Sequence, residues 1–130
     1  AFFEKDRNLY LQKLSAVSKN NDYATWIKYF LEGVIEQAEI NTIKARAMLD
    51  RYNEFKDICV SNMSSKYSIM LLDEIFKRPA FKAKQLQDDI PGSKGTLYNM
   101  LDEFVAKGIL QKDNKVRNAT YVCPAILNLL

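Results

Sequence analysis

The sequence contains no histidine. That absence removes Ser-His-Asp and Cys-His nucleophilic sites, His-ligated zinc and His general bases from this stretch. Cysteine is nearly missing too. Cys59 and Cys123 stand far apart with no C-x-x-C spacing, and read as two reduced, buried thiols. No apolar run approaches the roughly 18 residues a membrane span needs, and no secretory or transit pattern opens the chain. The expectation is a cytoplasmic protein with no membrane partner. An initiating Met is also lacking, and the abrupt Ala1-Phe2-Phe3 suggests a piece of a longer protein.

What is present is ordinary for a folded chain. Apolar residues make up 48% and charged residues 27% of 130 positions, so disorder is not expected, and the length suits one domain or two small ones. The net charge of +3 is unevenly spread. Residues 1–59 carry nine Lys/Arg against nine Asp/Glu, and residues 60–130 carry ten against seven. A basic surplus confined to one half favours a polyanionic partner for that half. The carboxylates suggest no chemistry. Glu32, Glu36 and Glu39 share one helix face without a Glu-x-x-His partner and read as solvated. Asp88 and Asp89 are adjacent on a helix, so their side chains diverge by about 100°. No active site, cofactor or metal is expected here.

In chain order, Asp6 is positioned to cap a first helix running to Lys19, with Tyr10, Leu14 and Val17 on one side. Asn20-Asn21-Asp22 ends it, and Asp22 can cap the next. From Tyr23 to about Ile58 apolar residues keep a helical period with no proline and one glycine, Gly33. The weak spot is Asn41-Thr42, where a kink is one alternative and an unbroken strut the other. Its aromatics Tyr23, Trp26, Tyr29 and Phe30 read as core or a dimer seam. Ser61-Asn62-Met63-Ser64-Ser65 is the expected linker. The expected division is residues 1–62, helical, and residues 66–130, a second domain.

That second domain carries the clearest local signals. Tyr67 to Phe76 predicts a helix that stops before Arg78-Pro79, and Ala80-Phe81 a short extra strand. A short helix from Phe81 then meets the breakers Pro91 and Gly92. Ser93 stands at an N-cap, and Leu97, Met100, Leu101, Phe104 and Val105 form one apolar helix face. Gly108 fits a C-cap. Ile109-Leu110 starts a strand, Asp113-Asn114 turns it, Thr120-Tyr121-Val122 returns, and Pro124 stops it. The fold class predicted is mainly α: N-terminal helices including one long helix, then a winged helix-turn-helix with a small β-hairpin.

A winged helix reads duplex DNA with the N-terminal part of its second helix. The outward face of that helix offers Lys94, Gly95, Tyr98 and Asn99, with Lys94 suited to phosphate or guanine and Asn99 to adenine. Ser93, Thr96 and the first backbone N–H groups suit a phosphate at the helix start. Lys112, Lys115, Arg117 and Asn118 on the hairpin suit the sugar–phosphate backbone. Asp102 and Glu103 repel phosphate. The partners expected are double-stranded DNA and a second copy through the long helix. The competing reading is an interaction module holding protein against protein.

Two stretches resemble the Fic family (filamentation induced by cAMP), bacterial proteins associated with AMP transfer from ATP onto protein hydroxyls. Phe3-Glu4-Lys5-Asp6-Arg7-Asn8-Leu9-Tyr10 is similar to its Y-F-E-x-x-R-x-x-Y-Y, with Leu11 replacing the second tyrosine. Trp26-Ile27-Lys28-Tyr29-Phe30-Leu31-Glu32-Gly33-Val34 is similar to its W-x-x-F-F-L-E-G-V. The family's catalytic H-P-F-x-x-G-N-G-R is absent. The resemblance implies a C-terminal regulatory region of a parent adenylyltransferase whose catalytic motif lies upstream, so no catalytic residue is carried over. Ser93-Lys94-Gly95-Thr96-Leu97-Tyr98 also resembles the recognition-helix start of PadR-like regulators, an analogy only.

Overall fold

A computed structural model describes Glu4, residues 6–20 and residues 23–130. The chain is mainly helical with one small antiparallel sheet, and it divides into two compact units, residues 1–45 and 46–130.

In the first unit, α1 spans Arg7–Asn20. The Leu9 N–H donates to Asp6 Oδ1 at 2.9 Å, satisfying one of the donors a helix start leaves open. The expected cap at Asp22, like Phe3 and Lys5, lies outside the described residues. Helix α2 runs Tyr23–Asn62 with no break assigned at Asn41-Thr42. The polar groups there are satisfied along the helix itself: Gln37 Nε2 donates to Asn41 Oδ1 at 2.9 Å, and Thr42 Oγ1 to the Ala38 carbonyl at 2.8 Å. Trp26 and Phe30 stack at 5.5 Å, and Tyr29 is buried.

The second unit takes in the last turns of α2. Phe55 and Cys59 are buried with α3 (Ser68–Lys77), and the Tyr52 hydroxyl donates to Asp73 Oδ1 at 2.6 Å. After α3 come β1 (Ala80–Lys82), a single 3₁₀ turn (Ala83–Leu86), α4 (Lys94–Ala106), β2 (Gln111–Lys112), β3 (Thr120–Val122) and α5 (Pro124–Leu127). This is winged-helix order. The strands lie β1-β3-β2, with Phe81 opposite Tyr121 and Lys112 opposite Tyr121 from the other side. Both cysteines are buried and free.

Helix α4 forms where its local signals place it. Thr96 N–H donates to Ser93 Oγ at 3.1 Å at the start. Leu97, Met100, Leu101 and Phe104 bury one face, each contributing about 1.5–3 kcal/mol by leaving water. At its end Gly108 takes φ +80°, with Gly108 N–H on the Val105 carbonyl and Ile109 N–H on the Phe104 carbonyl. That pair of bonds is a Schellman motif, which needs the left-handed residue glycine supplies.

Three local expectations change. The linker starts only at Met63, since Ser61 and Asn62 continue α2. The short helix after Phe81 is only the 3₁₀ turn, because β1 occupies Phe81 and Lys82 and Pro91 follows within a few residues. Ile109 and Leu110 are buried beneath the helix end rather than paired in a strand. The wing is accordingly the seven-residue loop 113–119, not a tight Asp113-Asn114 turn.

Candidate nucleic-acid interface

The wing loop is shaped by its own side chains. Asp113 N–H donates to the Thr120 carbonyl at 3.1 Å and closes the loop base, while Lys115 N–H donates to Asp113 Oδ1 at 3.1 Å. The Thr120 backbone N–H, then that of Lys115, holds the Asp113 carboxyl below the usual carboxylate range. Asn118 takes φ +51°, a left-handed turn that asparagine tolerates better than most residues. The loop therefore folds back, leaving Val116 98% exposed at its tip.

Between this loop, the end of β1 and the start of α4 lies an open groove of about 510 Å³. It is lined by Lys82, Lys84, Lys94, Lys112 and Arg117, with Tyr98, Asn118 and Tyr121 among the other walls. No carboxylate among the described residues lines it. Five cations facing one space repel each other, and a polyanion relieves that repulsion. Lys94 Nζ lies 5.9 Å from the Tyr98 ring centroid and Lys112 Nζ 5.9 Å from that of Tyr121, so both ammonium groups sit over aromatic faces.

Tyr121 is 1% exposed and stacks on Phe81 at 5.7 Å. Its buried hydroxyl has no hydrogen-bond partner among the described residues, a situation that costs about 1–3 kcal/mol. Burial first, then the nearby Asp102 carboxylate, raises the phenol above its ordinary value.

Of the expected contact residues, Lys94, Tyr98, Lys112, Arg117 and Asn118 meet in this groove. Asn99 is exposed on α4 and Lys115 on the wing, both outside the groove lining. Gly95 is exposed in the first helical turn, where an added Cβ would meet only Ser93 Oγ at 3.7 Å. Ser93 and Thr96 are committed to the helix cap, their hydroxyls 3.0 Å apart. Ser93 also borders a separate depression that contains Asp88. Glu103 is taken up by the Ser64 backbone N–H at 3.2 Å and by the Ser64 hydroxyl, so its charge is spent on the loop before α3.

Lys82 and Lys84 were not singled out from the sequence. The available signal was the alternation Phe81-Lys82-Ala83-Lys84, in which Phe81 and Ala83 are buried and the lysines exposed. Among the described residues no cluster of three His, Cys, Asp or Glu side chains comes together to hold a metal, and no helix is long and apolar enough to cross a membrane. The chain matches no protein-family model and no curated protein.

Proposed function

We propose that the winged helix of residues 66–130 binds double-stranded DNA, acting as a regulatory region. The observation that carries this reading is the convergence of five cations, from β1, the 3₁₀ turn, α4, β2 and the wing loop, on one groove beside the start of α4 that no carboxylate among the described residues lines. In this reading Lys94, Tyr98 and Asn99 approach base edges, while Lys112 and Arg117 neutralise backbone phosphates. Lys115, on the wing but off the groove, contributes less. The fitting experiment is fluorescence anisotropy on a random-sequence duplex at low salt. Arg117→Ala weakens binding regardless of sequence and by more than Lys115→Ala. Equal affinity of Arg117→Ala and wild type at low salt contradicts the reading. If the Fic resemblance of Phe3–Tyr10 and Trp26–Val34 holds, this region regulates a parent protein that transfers AMP.

A second reading is favoured by a separate observation. Along α2, Ile27, Leu31, Val34, Ile35 and Ile43 are between 46% and 68% exposed, more apolar surface than one helix ordinarily leaves to water. This supports a homodimer through the long helix, which would hold two parent chains together. Sedimentation equilibrium tests it: Leu31→Lys with Ile35→Lys gives a monomer where the wild type gives a dimer. A monomeric wild type at tens of micromolar excludes it.

A further inference from the structure

We infer that Lys82, Lys84 and the Tyr121 hydroxyl form a clamp for one stretch of sugar–phosphate backbone, a third contact element besides the recognition helix and the wing. The inference rests on the DNA reading above and adds to it where the nucleic acid is gripped without being read.

The geometry behind it begins with β1. Pairing of Ala80, Phe81 and Lys82 with Val122, Tyr121 and Thr120 fixes the strand beside the wing's return. The Gln85 side-chain oxygen then accepts the Lys82 N–H at 2.8 Å and pins the strand to the following turn. Phe81 and Ala83 point into the core, so Lys82 and Lys84 both emerge at the groove rim. Neither makes an ion pair among the described residues. Two unpaired ammonium groups held two residues apart on a fixed backbone bridge adjacent phosphate oxygens without ordering a loop first.

Tyr121 supplies the directional part. Tyr121 belongs to the groove wall, and its hydroxyl is a buried donor with no acceptor among the described residues. Near its ring, which Phe81 stacks on, lies the exposed Lys112 side chain, its ammonium 5.9 Å from the ring centroid. In the clamp, the Lys112 ammonium shifts from the ring onto a phosphate, and an oxygen of the same phosphate accepts a hydrogen bond from the Tyr121 hydroxyl. A phosphodiester thus satisfies an orphaned donor and cancels part of the cation repulsion in one step. Phosphate contacts of this kind set register and strength but carry no sequence information.

The test uses the full chain, a random-sequence duplex and, separately, inorganic pyrophosphate. With the duplex, Lys82→Gln/Lys84→Gln makes the slope of log affinity against log salt shallower by about 1.8, at about 0.9 per phosphate. Its preference among sequences is unchanged. Tyr121→Phe weakens duplex binding about three- to tenfold while the free protein melts at a higher temperature, since the variant has no orphaned hydroxyl. A merely structural tyrosine would not produce that opposition of signs. An unchanged slope in the lysine pair, or unchanged affinity in Tyr121→Phe, overturns the clamp while duplex binding by the wild type leaves the DNA reading standing. If the wild type ignores duplex but pyrophosphate still raises its melting temperature, and the lysine pair abolishes that rise, the anion site stands and the DNA reading falls. If neither duplex nor pyrophosphate binds, both fall.

Discussion

The two compact units bury their apolar residues very differently. In residues 46–130, side chains from the end of α2, from α3, β1, α4, β3 and α5 close one continuous core around Leu71, Leu101 and Phe104, all 0% exposed. In residues 1–45, Tyr29 is the one large apolar side chain buried among the described residues, while Ile27, Leu31 and Ile35 stay half exposed. A three-stranded sheet and crossing helices enclose a core, whereas helices meeting along one stripe leave their other faces wet. The second unit thus backs its groove with a closed core, while the first leaves a row of apolar side chains of α2 exposed.

The sharpest way to break this contrast is a matched pair of truncations. Leu101→Ala, in the core, costs about 2–5 kcal/mol by urea unfolding, as buried Leu→Ala changes do. Ile35→Ala, 59% exposed, stays within about 0.5 kcal/mol for the monomer. Comparable losses at the two sites would mean that the first unit is packed as tightly as the second. Next in size is Gly108→Ala. Nothing lies within 4 Å of the added Cβ, so the cost of about 1–2 kcal/mol is conformational, from φ +80° alone. A neutral result would remove the Schellman motif from the account of how α4 ends.

Tyr52→Phe probes what ties the end of α2 to α3 within the second unit. Losing the hydroxyl that donates to Asp73 costs about 1 kcal/mol. The hydrogen bond to Asp73, then burial, raises the Tyr52 phenol above its ordinary value. A raised folded value favours the neutral phenol. Its stabilisation is complete below the unfolded value near 10 and is lost as pH rises through the folded one. Thermal melts from pH 9 to pH 11 therefore fall more steeply in wild type than in Tyr52→Phe. The smallest effect belongs to Gly95→Ala. With only ordinary contact awaiting the new Cβ, stability rises by up to about 1 kcal/mol. DNA affinity falls, because a methyl group then stands between the helix start and the groove edge of the duplex. A variant both more stable and equally tight would free Gly95 of any binding role.

How much was legible in the chain follows the same divide between local and distant causes. The Ser93 cap, the apolar face of α4 and the Gly108 end are set by residues within a few positions of each other, and the structure forms all three where expected. The wing's length was hidden because Asp113-Asn114 looks like a tight turn. The turning is actually done by the Lys115 N–H bond to Asp113 and by the left-handed Asn118 further along the loop. Lys82 and Lys84 were missed for a different reason. Their place at the groove comes from β1 pairing with β3 some forty positions away, and no local pattern announces that register. Thr96 shows the reverse, a residue with ligand-like chemistry that the helix uses for its own cap.

One measurement bears most directly on the claim that the second unit grips a polyanion through its groove. The affinity of the full chain for a random-sequence duplex is followed by anisotropy from 50 to 200 mM salt, with the bound protomer number determined alongside. The four groove cations placed on phosphates (Lys82, Lys84, Lys112 and Arg117) predict a log–log slope of about −3.6 per protomer, at about −0.9 each. A slope shallower than about −1, or no binding at the lowest salt, contradicts the account.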